Sequence, residues 1–167
     1  TKLFNKFSNM DKEYIATLTL GKATDTGDLQ GKIIKELPYS HIDEEQIRDV
    51  FRQFRGEIEQ IPPMMSAIKH KGRRLYELAR KGIYVERAPR RLKIYSLELK
   101  NFNPPEVKFY LKCSKGTYVR KLAEDIAERL SCCAYISQII RVAVGDFRLE
   151  QAVKLEEVDE SHILTWK

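Results

Sequence analysis

The 167 residues hold 30 Lys plus Arg against 24 Asp plus Glu, a formal net charge of +6, with 43% hydrophobic and 32% charged residues. A chain of this kind can bury the core of one domain and is too apolar for intrinsic disorder, which excludes collagen-like, coiled-coil and disordered-tail readings. No apolar run approaches the roughly 20 residues of a membrane-spanning helix, and Thr1-Lys2-Leu3-Phe4-Asn5-Lys6 lacks the features of a secretory signal. The expectation is a cytoplasmic protein. Cys113, Cys132 and Cys133 are odd in number and include an adjacent pair, so they read as reduced thiols rather than a disulfide framework. The positive excess fits either a solvated mixed surface or a phosphate-bearing partner, and only its distribution separates the two.

Lys12 to Leu20 alternates, with Tyr14, Ala16, Leu18 and Leu20 on one face and Ile15, Thr17 and Thr19 on the other, the pattern of a half-buried strand. The polar stretch Gly21 to Asp28 turns the chain into a second short run, Lys32 to Leu37, closed by Pro38. Ile47, Val50, Phe51 and Phe54 recur at helical spacing, with Asp43 as N-cap, Gln46 three residues on and Gly56 as C-cap. Pro62-Pro63 excludes a helix interior, after which a basic helical pattern turns Leu75, Leu78 and Ala79 inward and stops at Gly82.

Two strand-like runs follow, Leu92 to Leu99 and Val107 to Leu111, separated by Asn103-Pro104-Pro105. After Ser114-Lys115-Gly116, Thr117 is positioned to cap a helix with Val119, Leu122, Ala123, Ile126, Ala127 and Leu130 on its inner stripe, and Asp125 is spaced to pair with Arg129. Ala134 to Val144 and Phe147 to Leu149 read as further strands. Strands and helices in this order, without strict alternation, predict an α+β domain with a mixed or mostly antiparallel sheet and flanking helices.

Metal chemistry finds no donor set. The carboxylates of Thr24 to Asp28 are not spaced as a calcium loop and read as an Asx-type turn, and His41, His70 and His162 have no partners at zinc spacing. Cys132 and Cys133 read as small core residues, and no Ser or Cys sits on a nucleophile elbow. Two segments carry more. Lys115 and Arg120 lie beside the positive end of a helix dipole, which calls for a nearby anion; an Arg at the margin of an apolar stripe suits bidentate orientation of a carboxylate. From Gln60 to Gly82, the cations Lys69, Lys71, Arg73, Arg74, Arg80 and Lys81 surround Tyr76 with Glu77 as the acid among them, the pattern of a nucleic-acid contact.

Asp11-Lys12-Glu13-Tyr14, Thr24-Asp25-Thr26 with Asp28 and Gly31, the block Gln60 to Gly82, Cys113-Ser114-Lys115-Gly116-Thr117-Tyr118-Val119-Arg120, and Arg141 with Gly145 and Phe147 together resemble the bacterial TruB-type tRNA pseudouridine synthases over nearly the whole chain. The resemblance implies a pseudouridine synthase core with a basic thumb insertion at about 60–85, no cofactor, and a monomer acting on uridine 55 of the tRNA T stem-loop through a flipped-out base and an Asp nucleophile. By position it implies that Tyr14 stacks on the uracil and assists loss of the C5 proton, that Arg120 pairs with the nucleophile, that Tyr118 and Ile139 line the base pocket, and that Lys69, Arg73, Arg74, Tyr76 and Arg80 meet RNA. Ile139 stands where the family more often has Leu, and Ser131-Cys132-Cys133 where it usually has Gly-Cys-Gly.

In the family the nucleophile lies in a Gly-Thr-Leu-Asp-Pro motif upstream of a Gly-x-x-Thr-Lys segment, and the chain opens at the matching Thr1-Lys2. The expectation is therefore a partial catalytic domain over 1–167, inactive alone, without the nucleophile motif and without a C-terminal RNA-binding domain after Val158 to Lys167. None of Asp11, Asp25 or Asp28 matches the nucleophile. Two other readings remain open: a non-catalytic RNA-binding module of the same fold, and a synthase with a different RNA target.

Overall fold

The structure is a computed structural model that describes residues 3–162. Thr1-Lys2 and the last five residues of the Val158 to Lys167 stretch lie outside the described residues. A short helix α1 (Phe4–Ser8) leads into β1 (Lys12–Leu20), β2 (Lys22–Thr24) and β3 (Ile33–Glu36), then α2 (Glu44–Gln53) and β4 (Gly56–Gln60). The thumb region holds β5 (Lys69–His70), β6 (Arg73–Arg74) and α3 (Leu75–Ala79); β7 (Arg90–Asn103), β8 (Glu106–Cys113), α4 (Val119–Arg129), β9 (Ala134–Val144) and β10 (Phe147–Arg148) follow.

Six strands form one antiparallel sheet in the order β10-β9-β1-β8-β7-β4, which is the expected α+β architecture. β1 is interior to it, with β8 on one side and β9 on the other. α2 and α4 bury Ile47, Val50, Phe51, Leu122, Ala123 and Ile126 with Ala16, Leu18, Phe109 and Leu111 of the sheet. Phe51 and Phe109 meet edge to face at 5.8 Å between centroids, a favoured aromatic geometry. Cys113, Cys132 and Cys133 are buried free thiols.

The structure alters several expectations. The two expected runs are β7 and β8, but β7 extends to 14 residues, and register shifts between Ile94 and Ser96 and between Leu99 and Asn101 move its inward positions from 92 and 94 to 97 and 99 and then to 102. A β-bulge adds one residue and so reverses which parity faces the core. α2 starts with the predicted capping box of Asp43 and Gln46 but is capped at Phe54; Gly56, at φ 97, begins β4, an edge strand in which Ile58 is the apolar residue packed on the core. Among the basic residues read as helical, Lys69, Arg73 and Arg74 sit on a two-residue hairpin. Its turn, Lys71-Gly72, has φ of 47 and 84, the left-handed values that suit a tight hairpin, and the helix shrinks to Leu75–Ala79.

At α4 the N-cap is Tyr118, without a side-chain capping bond, because the Thr117 hydroxyl donates back to the Ser114 carbonyl at 2.9 Å and closes the Gly116 turn. Asp125 pairs with Lys121 one turn earlier, at 2.7 Å, in place of Arg129. The last predicted strand is only Phe147–Arg148, followed by single turns of 3-10 helix.

Candidate functional site

A cavity of about 500 Å³ opens where β1, β9 and the start of α4 meet the loop after β2. Tyr14 comes from β1, Tyr118 and Arg120 from the first turn of α4, Ile139 from β9, and all four line it together with Asp28 and Leu29. Sheet geometry places two of them: Tyr14 lies on the face of β1 that also carries Ala16, and Ala16 pairs directly with Ile139.

The loop is built from its own polar side chains. Asp28 accepts from the Gln30 N–H at 3.2 Å, the Asx-type bond expected of this stretch, and from the Thr26 hydroxyl at 2.7 Å, while Asp25 accepts from the Lys32 N–H across the loop at 2.9 Å. Gly27 adopts φ 72, and its carbonyl accepts from the Ile136 N–H at 3.0 Å while Leu29 N–H donates to the Ile136 carbonyl at 3.1 Å. The loop is thus laced to β9 along one side of the cavity.

Arg120 is the junction of the site. Its Nη1 donates to Asp28 Oδ2 at 2.9 Å and to the Thr26 carbonyl at 3.0 Å, and its Nη2 donates to the Met65 carbonyl at 3.1 Å. Arg120 and Asp28 are half-buried, 29% and 31% exposed. Asp28 thus stands as an anion beside the dipole of α4, a pairing that the sequence does not single out. A guanidinium has five N–H donors, so these three bonds leave two for a further acceptor. Lys115, the other cation of the turn, donates to Asn9 Oδ1 at 2.8 Å.

Tyr14 is half-buried. Burial and the neighbouring Cys113 push its phenol above the ordinary tyrosine range, against the opposing pull of the Arg141 guanidinium hydrogen-bonded to it. Burial likewise pushes Cys113 up to about 11. Neither group ionises near neutral pH. Gln60, which local patterning does not distinguish within its block, is buried and bonds the backbone of Tyr118 on both sides.

The thumb residues do not enter this cavity. Lys69, Arg73 and Arg74 lie exposed on the β5–β6 hairpin, above a small core of Met64, Leu75 and Leu78. The Arg74 and Arg80 guanidinium carbons stand 5.9 and 5.4 Å from the Tyr76 ring centroid, within cation–π range. Arg80 lines a second cavity of about 520 Å³ with Pro62, Met65, Tyr84 and Arg87, which the thumb root shares with Asp25, Thr26 and Lys121. Arg120, which lines the first cavity, bonds the carbonyl of Met65, which lines the second.

Residues 1–119 match the sequence model of the TruB family pseudouridylate synthase N-terminal domain, and residues 120–167 that of the tRNA pseudouridylate synthase B C-terminal domain. The seam falls in the first turn of α4, between Val119 and Arg120, inside one continuous core. A tRNA pseudouridine synthase B from Clostridium tetani is 47% identical over 163 residues, 98% of this chain and 56% of the relative. One from Bordetella avium is 46% identical over 158 residues, 93% of this chain and 65% of the relative. The chain therefore spans between half and two thirds of these curated relatives. Among solved structures, that of a Cbf5-Nop10-Gar1 complex is similar at TM-score 0.68 and 25% identity, covering 94% of this chain and 37% of the other. An H/ACA RNP bound to a substrate RNA containing 2′-deoxyuridine shares the fold at TM-score 0.62 and 22% identity, over 94% of this chain and 36% of the other.

Proposed function

Because the chain belongs to the TruB family of pseudouridylate synthases, we propose that it supplies the base pocket and thumb of a cytoplasmic, monomeric enzyme that isomerises uridine 55 in the T stem-loop of tRNA. The observation that carries the reading is the convergence of Tyr14, Tyr118, Arg120 and Ile139, from three parts of the chain, on one cavity with a basic hairpin beyond it. A base stacked in RNA must be extruded before chemistry can reach it, and a half-apolar cavity with an aromatic wall suits an extruded base.

In this reading a carboxylate from a segment N-terminal to the stretch matched by Thr1 attacks C1′ of the ribose or C6 of the uracil. The C1′–N1 bond breaks, the base turns, C1′ bonds to C5, the bond to the carboxylate breaks and frees it again, and a proton leaves C5 while one joins N1. Atoms and electrons balance without an added group, so the reaction needs no cofactor. Arg120 directs its two remaining N–H groups at the attacking carboxylate while Asp28, Thr26 and Met65 hold the rest of the guanidinium. Tyr14 stacks on the uracil and, its phenol kept neutral by burial, relays the C5 proton rather than acting as a tyrosinate base. Tyr118 and Ile139 enclose the base. Lys69, Arg73, Arg74 and Arg80 contact phosphates, and Tyr76 offers a ring to an unpaired base.

Tritium release from a T stem-loop RNA labelled at uridine C5 tests the reading: the full-length protein releases it and the 167 residues alone do not. Robust release by the 167 residues would place the nucleophile among them and overturn this assignment; a full-length protein that binds the RNA without turnover would be a binding module.

A further inference from the structure

Gln60 ends β4 and is 2% exposed, among the largest fully buried side chains. A buried primary amide is costly unless both of its ends are bonded. Its Oε1 accepts the Tyr118 N–H at 2.9 Å and its Nε2 donates to the Tyr118 carbonyl at 3.3 Å. Both partners are backbone groups of fixed polarity, so the orientation of the amide is determined. The Tyr118 carbonyl also accepts the first bond of α4, from Leu122 N–H at 3.0 Å. Two residues on, Arg120 Nη2 donates to the Met65 carbonyl. The first turn of α4 is therefore fastened at both ends to residues 60–65, the root of the thumb, where Pro62-Pro63 restricts the backbone.

We infer that Gln60 is a positioning residue for the base cavity: its amide fixes the Tyr118 backbone, and with it the aim of Tyr118 and Arg120, from the root of the thumb. This rests on the synthase reading above. The rival role is stability alone, a polar side chain satisfied inside the fold with no bearing on the rate. The two differ in what a folded variant does. Loss of the clamp leaves RNA contacts on the thumb intact but lets the cavity wall shift, and displacements on the order of 1 Å reduce rates by about a hundredfold in well-oriented sites.

The test uses the full-length enzyme with T stem-loop RNA and two variants. Gln60→Met keeps the length of the side chain, leaves the Tyr118 N–H unbonded and leaves its carbonyl only the bond from Leu122 N–H. Gln60→Glu restores both bonds only when protonated, with its C=O accepting from the N–H and its O–H donating to the carbonyl. Single-turnover rate per folded molecule should fall about ten- to a hundredfold in Gln60→Met, with RNA Kd changed less than about threefold, and the Tyr118 amide should exchange faster with deuterium. Gln60→Glu should recover rate, relative to the parent, as pH falls. An unchanged rate per folded molecule with Gln60→Met, a Gln60→Glu rate that falls relative to the parent as pH falls, a rate loss matched by an equal loss of RNA affinity, or unaltered Tyr118 exchange in Gln60→Met would each overturn the inference. If Gln60→Met does not fold, the pH response of Gln60→Glu decides. A parent enzyme without turnover defeats the synthase reading instead, and the Tyr118 exchange then judges the clamp separately.

Discussion

Arg120 and Glu13 show how differently a half-buried and a buried charge serve the same fold. Arg120 spends three donors on the loop and thumb root and keeps two for a further acceptor. Arg120→Ala in the full-length protein should lower turnover about a hundredfold while RNA affinity stays within a few-fold, because orientation of the carboxylate is lost and the thumb contacts are not; comparing single-turnover rates with Kd checks it. Glu13, on the opposite face of β1, is 8% exposed and bonds Arg148 at 2.5 Å and Lys112 at 3.2 Å. Burial pushes its carboxyl upward, yet hydrogen bonds from Tyr110, Arg148 and Lys112 outweigh it and hold the group below its ordinary range. A depressed folded pKa stabilises above the unfolded value, about 4.3, and that contribution disappears as pH falls through the folded one. Glu13→Gln should therefore cost about 1–2 kcal/mol at pH 7, with the gap narrowing below about pH 4, as urea unfolding across pH would report.

At the scale of elements the thumb carries its charge on a hairpin rather than a helix. Substituting Lys69 and Arg73 together with Ala should weaken RNA binding and lower the magnitude of the slope of log K against log salt by about two, one per lost phosphate contact, with little change in single-turnover rate at saturating RNA. Filter binding across a salt series measures it. The alternating β1 and the 3.6-residue stripes of α2 and α4 were legible in the sequence because burial on one face imposes a period. The hairpin was not, since Lys71 takes a left-handed conformation that its residue type does not announce. β4 was hidden because an edge strand with Ile58 between Glu57 and Glu59 buries too little to mark itself. For the site, residue types named the cavity walls through family likeness, whereas the Arg120–Asp28 pair and the Gln60 clamp join residues 92 and 58 positions apart and have no local signature.

The whole molecule has two apolar centres of unequal size: a main one spanning sheet and helices, and the small Met64, Leu75 and Leu78 cluster under the thumb. Less buried apolar area gives less resistance to local opening. Amides of 69–80 should exchange with deuterium well before those of α4 in the free protein and become protected when T stem-loop RNA is added, a contrast that native-state exchange resolves. Competition between T-arm and unrelated stem-loops across salt separates recognition of RNA shape from bulk attraction to the +6 charge.

The place of β1 inside the sheet has a further consequence in time. Both of its neighbours arise far downstream, so Tyr14 meets Leu111 only after β8 has been made and Arg141 only after β9. Pairings of such sequence separation form late, because loop closure must precede any gain from the contact. On the ribosome, the strand that carries Tyr14 therefore waits unpaired until β8 and β9 have been made, and the cavity closes only when Ile139 arrives. The pocket is completed by a strand made long after β1, and translation pauses between α4 and β9 should leave a chain that has its tyrosine but not yet a place for a base.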